Sequence, residues 1–265
     1  MGKWPSCYQA PDVNMVRNNR IYRLGFSSLG CPFAVITDKS KNYKLTVFSY
    51  DIIPELAMLD PELITTLPPM VAAPTGLDAL THAIEAYISR AAYSFSDAMA
   101  EKAMELIGRY IRPFVANRAN IEAASGMLLG SMFAGIAFSW ARLGNVHAMA
   151  HPLGGYFNIA HGVANAVLLP VILEYNALAD QGKYEKIFNY IKGNKIISGF
   201  TPDVLVNEIK QLSNELSIPK NLTELGVSRD SVHDMAVDAM KSGNILVNPR
   251  QSTLADIEGL YLLAM

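Results

Sequence analysis

A mainly α-helical fold with a small β element at its N-terminal end is predicted for this chain, on three observations. From Pro69 onward, apolar residues recur at spacings of three and four through successive blocks, as in helices with one buried face. Before Pro68-Pro69, the runs PFAVITD, KLTVFSY and ELAMLD are short and rich in β-branched and aromatic residues, which suits two or three strands. Finally, 51% of the 265 residues are apolar against 17% charged, so more of the chain is expected to be buried than in an average soluble domain.

Taken in order, residues 1–31 mix basic, polar and glycine residues (RNNRIYRLGFSSLG) without periodicity and read as irregular. The three strand-like runs follow, separated by the polar turn DKSKN and by DIIP. A helix is predicted over 75–89, with Asp78 in its early turns, and a second over 94–114 on the stripe Met99, Ala103, Leu106, Tyr110 and Phe114. A third over 121–142 contains residues 123–141, an uncharged run long enough for a membrane span, with a GxxxG pair at Gly126 and Gly130. Its serines, its glycines and its lack of a flanking basic cluster favour instead the central buried helix of a soluble domain. There Gly126, Gly130 and Ala134 would let another helix approach closely. A short helix carries His147 to His151 until Pro152 and Gly154-Gly155 break it, and another over 161–175 is interrupted at Pro170. Lys183–Ile191 is short. Thr201-Pro202 reads as a cap and first helical residue, and Val204, Leu205, Ile209, Leu212 and Leu216 form the stripe that follows, up to Pro219. Helices over 230–241 and 253–264 close a set of seven to nine.

The net charge of −2 argues against nucleic-acid and anionic-membrane partners, which need a concentrated basic face. Two cysteines, Cys7 and Cys31, form neither a disulfide framework nor a thiolate zinc site, and fit a cytoplasmic, reducing compartment. The first twenty residues have no apolar core of the signal-peptide kind, so no leader is expected.

Chemistry concentrates between Gly76 and Pro170, where four of the five histidines lie: His82, His147, His151 and His161. Asp78 precedes His82 by four residues, and His147 precedes His151 by four, so each pair shares a helix face. Singly, such pairs most often only stabilise a helix. Their clustering in apolar, glycine-punctuated sequence, where an unpaired imidazole is costly, points to a metal site. One carboxylate with imidazoles suits Fe(II), Zn(II) or a similar ion. His233-Asp234 permits a different reading, a helical metal-dependent hydrolase, and a third is an inactive metal-binding fragment.

The blocks DPELITTLPPMVAAPTGLDALTHAIEAYIS and GNVHAMAHPLGGYFNIAHGVANAVLLP, with the later IPKNLTELGV and NPRQSTLADIEGLY, strongly resemble the iron-containing (group III) alcohol dehydrogenases. The resemblance runs from about Pro32 to the C-terminus. It implies a dehydroquinate synthase-like helical domain over 69–265, preceded at 32–68 by a β remnant of the nucleotide-binding domain, with 1–31 unmatched. It implies Asp78, His82, His147 and His161 as ligands of Fe2+ or Zn2+. It implies His151 as a catalytic neighbour of the substrate, and Lys44 as a residue near an NAD(P) cofactor. The implied reaction interconverts a small alcohol and its aldehyde. The family's glycine-rich phosphate turn is not legible in this sequence, so weak NAD(P) binding and slow turnover are expected. Apolar surface left exposed would favour a homo-oligomer.

Overall fold

The structure is a computed structural model that describes residues 13–17, 20–24, 33–38, 43–49, 51, 53, 56–193 and 197–265. Among the described residues five strands come first: β1 (Val13–Arg17), β2 (Arg20–Leu24), β3 (Phe33–Asp38), β4 (Tyr43–Phe48) and β5 (Leu56–Ala57). β1 pairs antiparallel with β2 and with β5, and β3 pairs antiparallel with β4. The hairpin of β1 and β2 corrects the expectation of an irregular 1–31. Its alternation is weak because Arg17, Arg20 and Arg23 interrupt the apolar set Met15, Val16, Ile21 and Tyr22. The rest of 1–31, including Cys7 and Cys31, lies outside the described residues.

Nine α-helices follow among the described residues: α1 (Pro69–Ile88), α2 (Ser94–Ala116), α3 (Ile121–Ala141), α4 (Asn145–Phe157), α5 (His161–Asn176), α6 (Lys183–Lys192), α7 (Pro202–Glu215), α8 (Val232–Met240) and α9 (Leu254–Leu263). α1 begins six residues earlier than predicted. Proline suits a first helical turn, where an N–H would have no partner, and Pro69 opens this helix. Prolines 152 and 170 lie inside α4 and α5 and do not break them. Each removes one backbone bond, and burial of the flanking Leu153, Leu169 and Ile172 outweighs that loss.

The helix at the centre is α1, not α3. From Val71 to Ile88 all but Thr75 are buried, because α2, α3 and α5 enclose the segment, and the polar Asp78, Thr81, His82 and Glu85 are buried with its apolar residues. α3 packs along α2 through its small residues. A methyl group at Gly126 would collide with the Tyr110 ring, and one at Gly130 would lie 2.8 Å from Ile107. Its ends emerge at Ile121 and Trp140. α3 and the span 161–179 are long and apolar enough to cross a membrane, and over half of each such window is buried by other parts of the chain.

Two buried tyrosines tie helices together. Tyr184 Oη donates to the Leu173 carbonyl at 2.8 Å, and Tyr261 Oη donates to the Met149 carbonyl at 2.6 Å, pinning α9 to α4. Burial pushes both hydroxyls well above their usual range. In the unfolded chain a tyrosine ionises near pH 10, so the unfolded state loses these protons first. The stability each provides is therefore complete below pH 10 and falls above it, by about 1.4 kcal/mol per pH unit. Urea midpoints measured from pH 9 to 11.5 are expected to fall steadily above 10; a flat profile would contradict this account.

Candidate metal centre

Three helices supply the cluster. α1 presents Asp78 and, one turn on, His82; α4 presents His147; α5 opens with His161. One ligand atom from each of these four lies within 4.8 Å of the others. His147 Nε2 is 3.5 Å from Asp78 Oδ1, and His161 Nε2 is 3.9 Å from it. Two ligands about 2.1 Å from one tetrahedral ion are roughly 3.4 Å apart, so this carboxylate and these imidazoles could share a first-row divalent ion. Asp78, His82 and His147 are buried, while His161 keeps 32% of its side chain exposed. His82 is held as a layer in a stack, its ring 4.7 Å from Phe138 and 4.4 Å from His147.

The close approach of α5 to α1 depends on Gly162. A Cβ there would meet the Pro74 carbonyl oxygen at 2.6 Å, and only glycine lets the two backbones come together beside Asp78. That contact also brings in Asn165, fully buried one turn after His161. Its Nδ2 donates to Asp78 Oδ1 at 2.5 Å and lies 3.1 Å from Nε2 of both His147 and His161. Asn165 was not among the residues expected at the site. Its signal was the four-residue spacing from His161, which puts both on one face.

A second addition is Glu85, buried on α1 three residues after His82. Its carboxylate accepts the Val146 N–H at 2.7 Å and the His147 N–H at 3.4 Å, and meets His147 Nδ1 at 2.6 Å. The spacing Asp78, His82, Glu85 follows one helix face, and that was the available signal.

Burial disfavours the charged form of His147, yet hydrogen bonds to Asp78 and Glu85 outweigh it and push the imidazole up to about 9. Burial also works against an ionised Asp78. The charges of His82 and His161 and the His147 hydrogen bond overcome it and hold this carboxyl far below the usual range. Two buried carboxylates thus draw positive charge into the cluster, and a metal would take the place of protons there.

His151 lies outside the four-ligand group, on the same face of α4 as His147, with its ring 5.4 Å from that of His161. Lys44 stands in β4 opposite Thr37, and its side chain lies outside the described residues. The hydrolase reading finds no support. His233 and Asp234 are exposed on α8, and His233 Nδ1 lies 2.6 Å from Glu258 Oε1, away from the cluster. The two were adjacent in sequence by chance, on a helix face turned to solvent.

Comparison with known proteins agrees with this geometry. The 1,3-propanediol dehydrogenase of Citrobacter freundii is 39% identical over 229 residues, 86% of this chain and 59% of the relative. The lactaldehyde reductase of Escherichia coli (strain K12) is 39% identical over 231 residues, with the same two coverages. A crystal structure of a 1,3-propanediol oxidoreductase superposes with a TM-score of 0.85 at 37% identity, over 90% of this chain and 64% of that one. The chain thus spans about three fifths of the length of the relatives it matches. Residues 72–265 match the C-terminal region of the Fe-containing alcohol dehydrogenases, and the chain belongs to that family.

Proposed function

We propose that this chain carries the metal-holding part of an NAD(P)-dependent alcohol dehydrogenase, with Asp78, His82, His147 and His161 as ligands of Fe2+, or of Zn2+ in its place. The observation that supports this most is the gathering of one carboxylate and three imidazoles from three helices within 4.8 Å. Once bound, the ion would supply Lewis acidity that makes an alcohol easier to deprotonate, and a nicotinamide would accept the hydride.

The residues of the chain do the rest. Asp78 and the three imidazoles hold the ion, and the Phe138–His82–His147 stack excludes water from the inner side. His161 is the exposed edge of the cluster, with His151 beside it. A nitrogen of His151 takes the hydroxyl proton from the substrate and returns it to solvent, the general-base role that an imidazole most often fills. Lys44 is the residue that the family resemblance puts near the cofactor, and β4, which carries it, packs against α4. The substrates are small alcohols and aldehydes, the class named for the relatives, and the two-cysteine composition suits the cytoplasm. Tyr93, Phe95 and Trp140 form an exposed aromatic patch that suits a homo-oligomer, and sedimentation of a clean monomer would remove that part of the reading.

The deciding test is metal analysis after anaerobic reconstitution, coupled to NADH oxidation with short aldehydes. Close to one iron or zinc per chain is expected, with any NADH oxidation abolished by a chelator. A chain that retains no metal overturns the proposal.

A further inference from the structure

We infer that Glu85 is a positioning residue of the metal centre: through His147 it sets which ring nitrogen faces the ion. The inference rests on Asp78, His82, His147 and His161 being the ligands.

A carboxylate has no proton to donate. It only accepts hydrogen bonds, so the 2.6 Å contact between Glu85 Oε2 and His147 Nδ1 places a proton on Nδ1. A neutral imidazole then has its lone pair on Nε2, the nitrogen 3.5 Å from Asp78 Oδ1. The opposite tautomer would carry a hydrogen on Nε2 and could not ligate there. Imidazole ligands are commonly oriented in this way by a carboxylate at the other ring nitrogen.

Glu85 is itself fixed. Its Oε1 accepts the Val146 N–H at 2.7 Å, in the first turn of α4, where free N–H groups favour an anion. Gly144 leaves room for it: a Cβ at that position would lie 2.9 Å from Oε1. Capping alone does not account for a glutamate here, because Ser or Asn caps a helix without the cost of a carboxylate that is 2% exposed. Its ion-pair partner among the described residues is His147. Asp78 and Glu85 together bring two negative charges to the cluster, matching a divalent cation.

The test compares Co2+ binding by the full wild-type chain and by Glu85→Gln, using competition with a chromophoric chelator and the visible Co2+ spectrum. Glutamine keeps an oxygen for Val146 N–H and turns its NH2 toward His147 Nδ1, which favours the Nε2–H tautomer. Binding is expected to weaken by roughly 10- to 100-fold, with an altered Co2+ spectrum. ¹⁵N histidine NMR of the Zn2+-loaded chain is expected to report a protonated Nδ1 and a proton-free Nε2 at His147 in the wild type, and the reverse in the variant. The wild-type measurement needs no variant, so it decides the matter if Glu85→Gln does not fold. Nε2–H with a proton-free Nδ1 at His147 in the Zn2+-loaded wild type, or Glu85→Gln binding within twofold of wild type, overturns the inference. If His161→Ala loses Co2+ while Glu85→Gln does not, Glu85 alone is misassigned. If His161→Ala binds as tightly as wild type, the ligand assignment itself fails and this inference falls with it.

Discussion

His161→Ala is expected to lower the affinity of the chain for Fe2+ or Zn2+ by about two to three orders of magnitude. Four-ligand zinc sites bind with roughly 10–16 kcal/mol, so one ligand in four accounts for about 3–4 kcal/mol. His161 is the informative ligand to remove because it is the exposed one. Truncating Asp78, His82 or His147 would also open a hole in a closed core, and lost binding could then reflect lost packing. At His161 thermal unfolding of the chelator-treated chain should stay close to wild type, while isothermal titration shows the loss. His233→Ala is the companion control. It removes a solvent-facing imidazole paired with Glu258 and is expected to leave metal content unchanged.

Gly162→Ala should damage the same centre from outside the ligand set. The added methyl would lie 2.6 Å from a backbone oxygen, and the Pro74 carbonyl has no rotamer through which to yield. α5 must move away from α1, carrying His161 and Asn165 from Asp78. Overpacking of this kind costs about 1–3 kcal/mol. Chemical denaturation would read that cost, and a chelator competition would show weaker metal binding although all four ligands remain. Ala at Gly259, where a Cβ meets nothing within 4 Å, should do neither. Equal effects at the two positions would exclude the close approach as the cause.

Much of the fold was legible because periodicity is a local property. The apolar stripe at Met99–Phe114 falls inside α2, that at Val204–Leu216 falls inside α7 except for Leu216, which caps it, PFAVITD contains β3, and KLTVFSY covers β4 but for Tyr43. Three features were misjudged, each for a physical reason. Pro152 and Pro170 stay helical since tertiary burial offsets a single missing bond. α1 rather than α3 took the centre, because enclosure depends on which neighbours a helix acquires, and both are apolar. The β1–β2 hairpin was hidden by its arginines. At the site, the histidines and Asp78 could be singled out from spacing and composition. Asn165 and Glu85 shared the helix-face spacing, but nothing in their residue type separates a ligand-facing amide or carboxylate from one turned to solvent.

The four clustered side chains span residues 78 to 161, and the last of them stands on a helix that must first dock against Pro74. During synthesis, then, no short stretch of the emerging polypeptide contains the complete cage. What a growing chain does offer is local pairs, Asp78 with His82 and His147 with His151, each one helical turn apart. The second of these pairs includes His151, which the folded protein keeps out of the cluster. The complete cage therefore exists only once α5 has seated against α1.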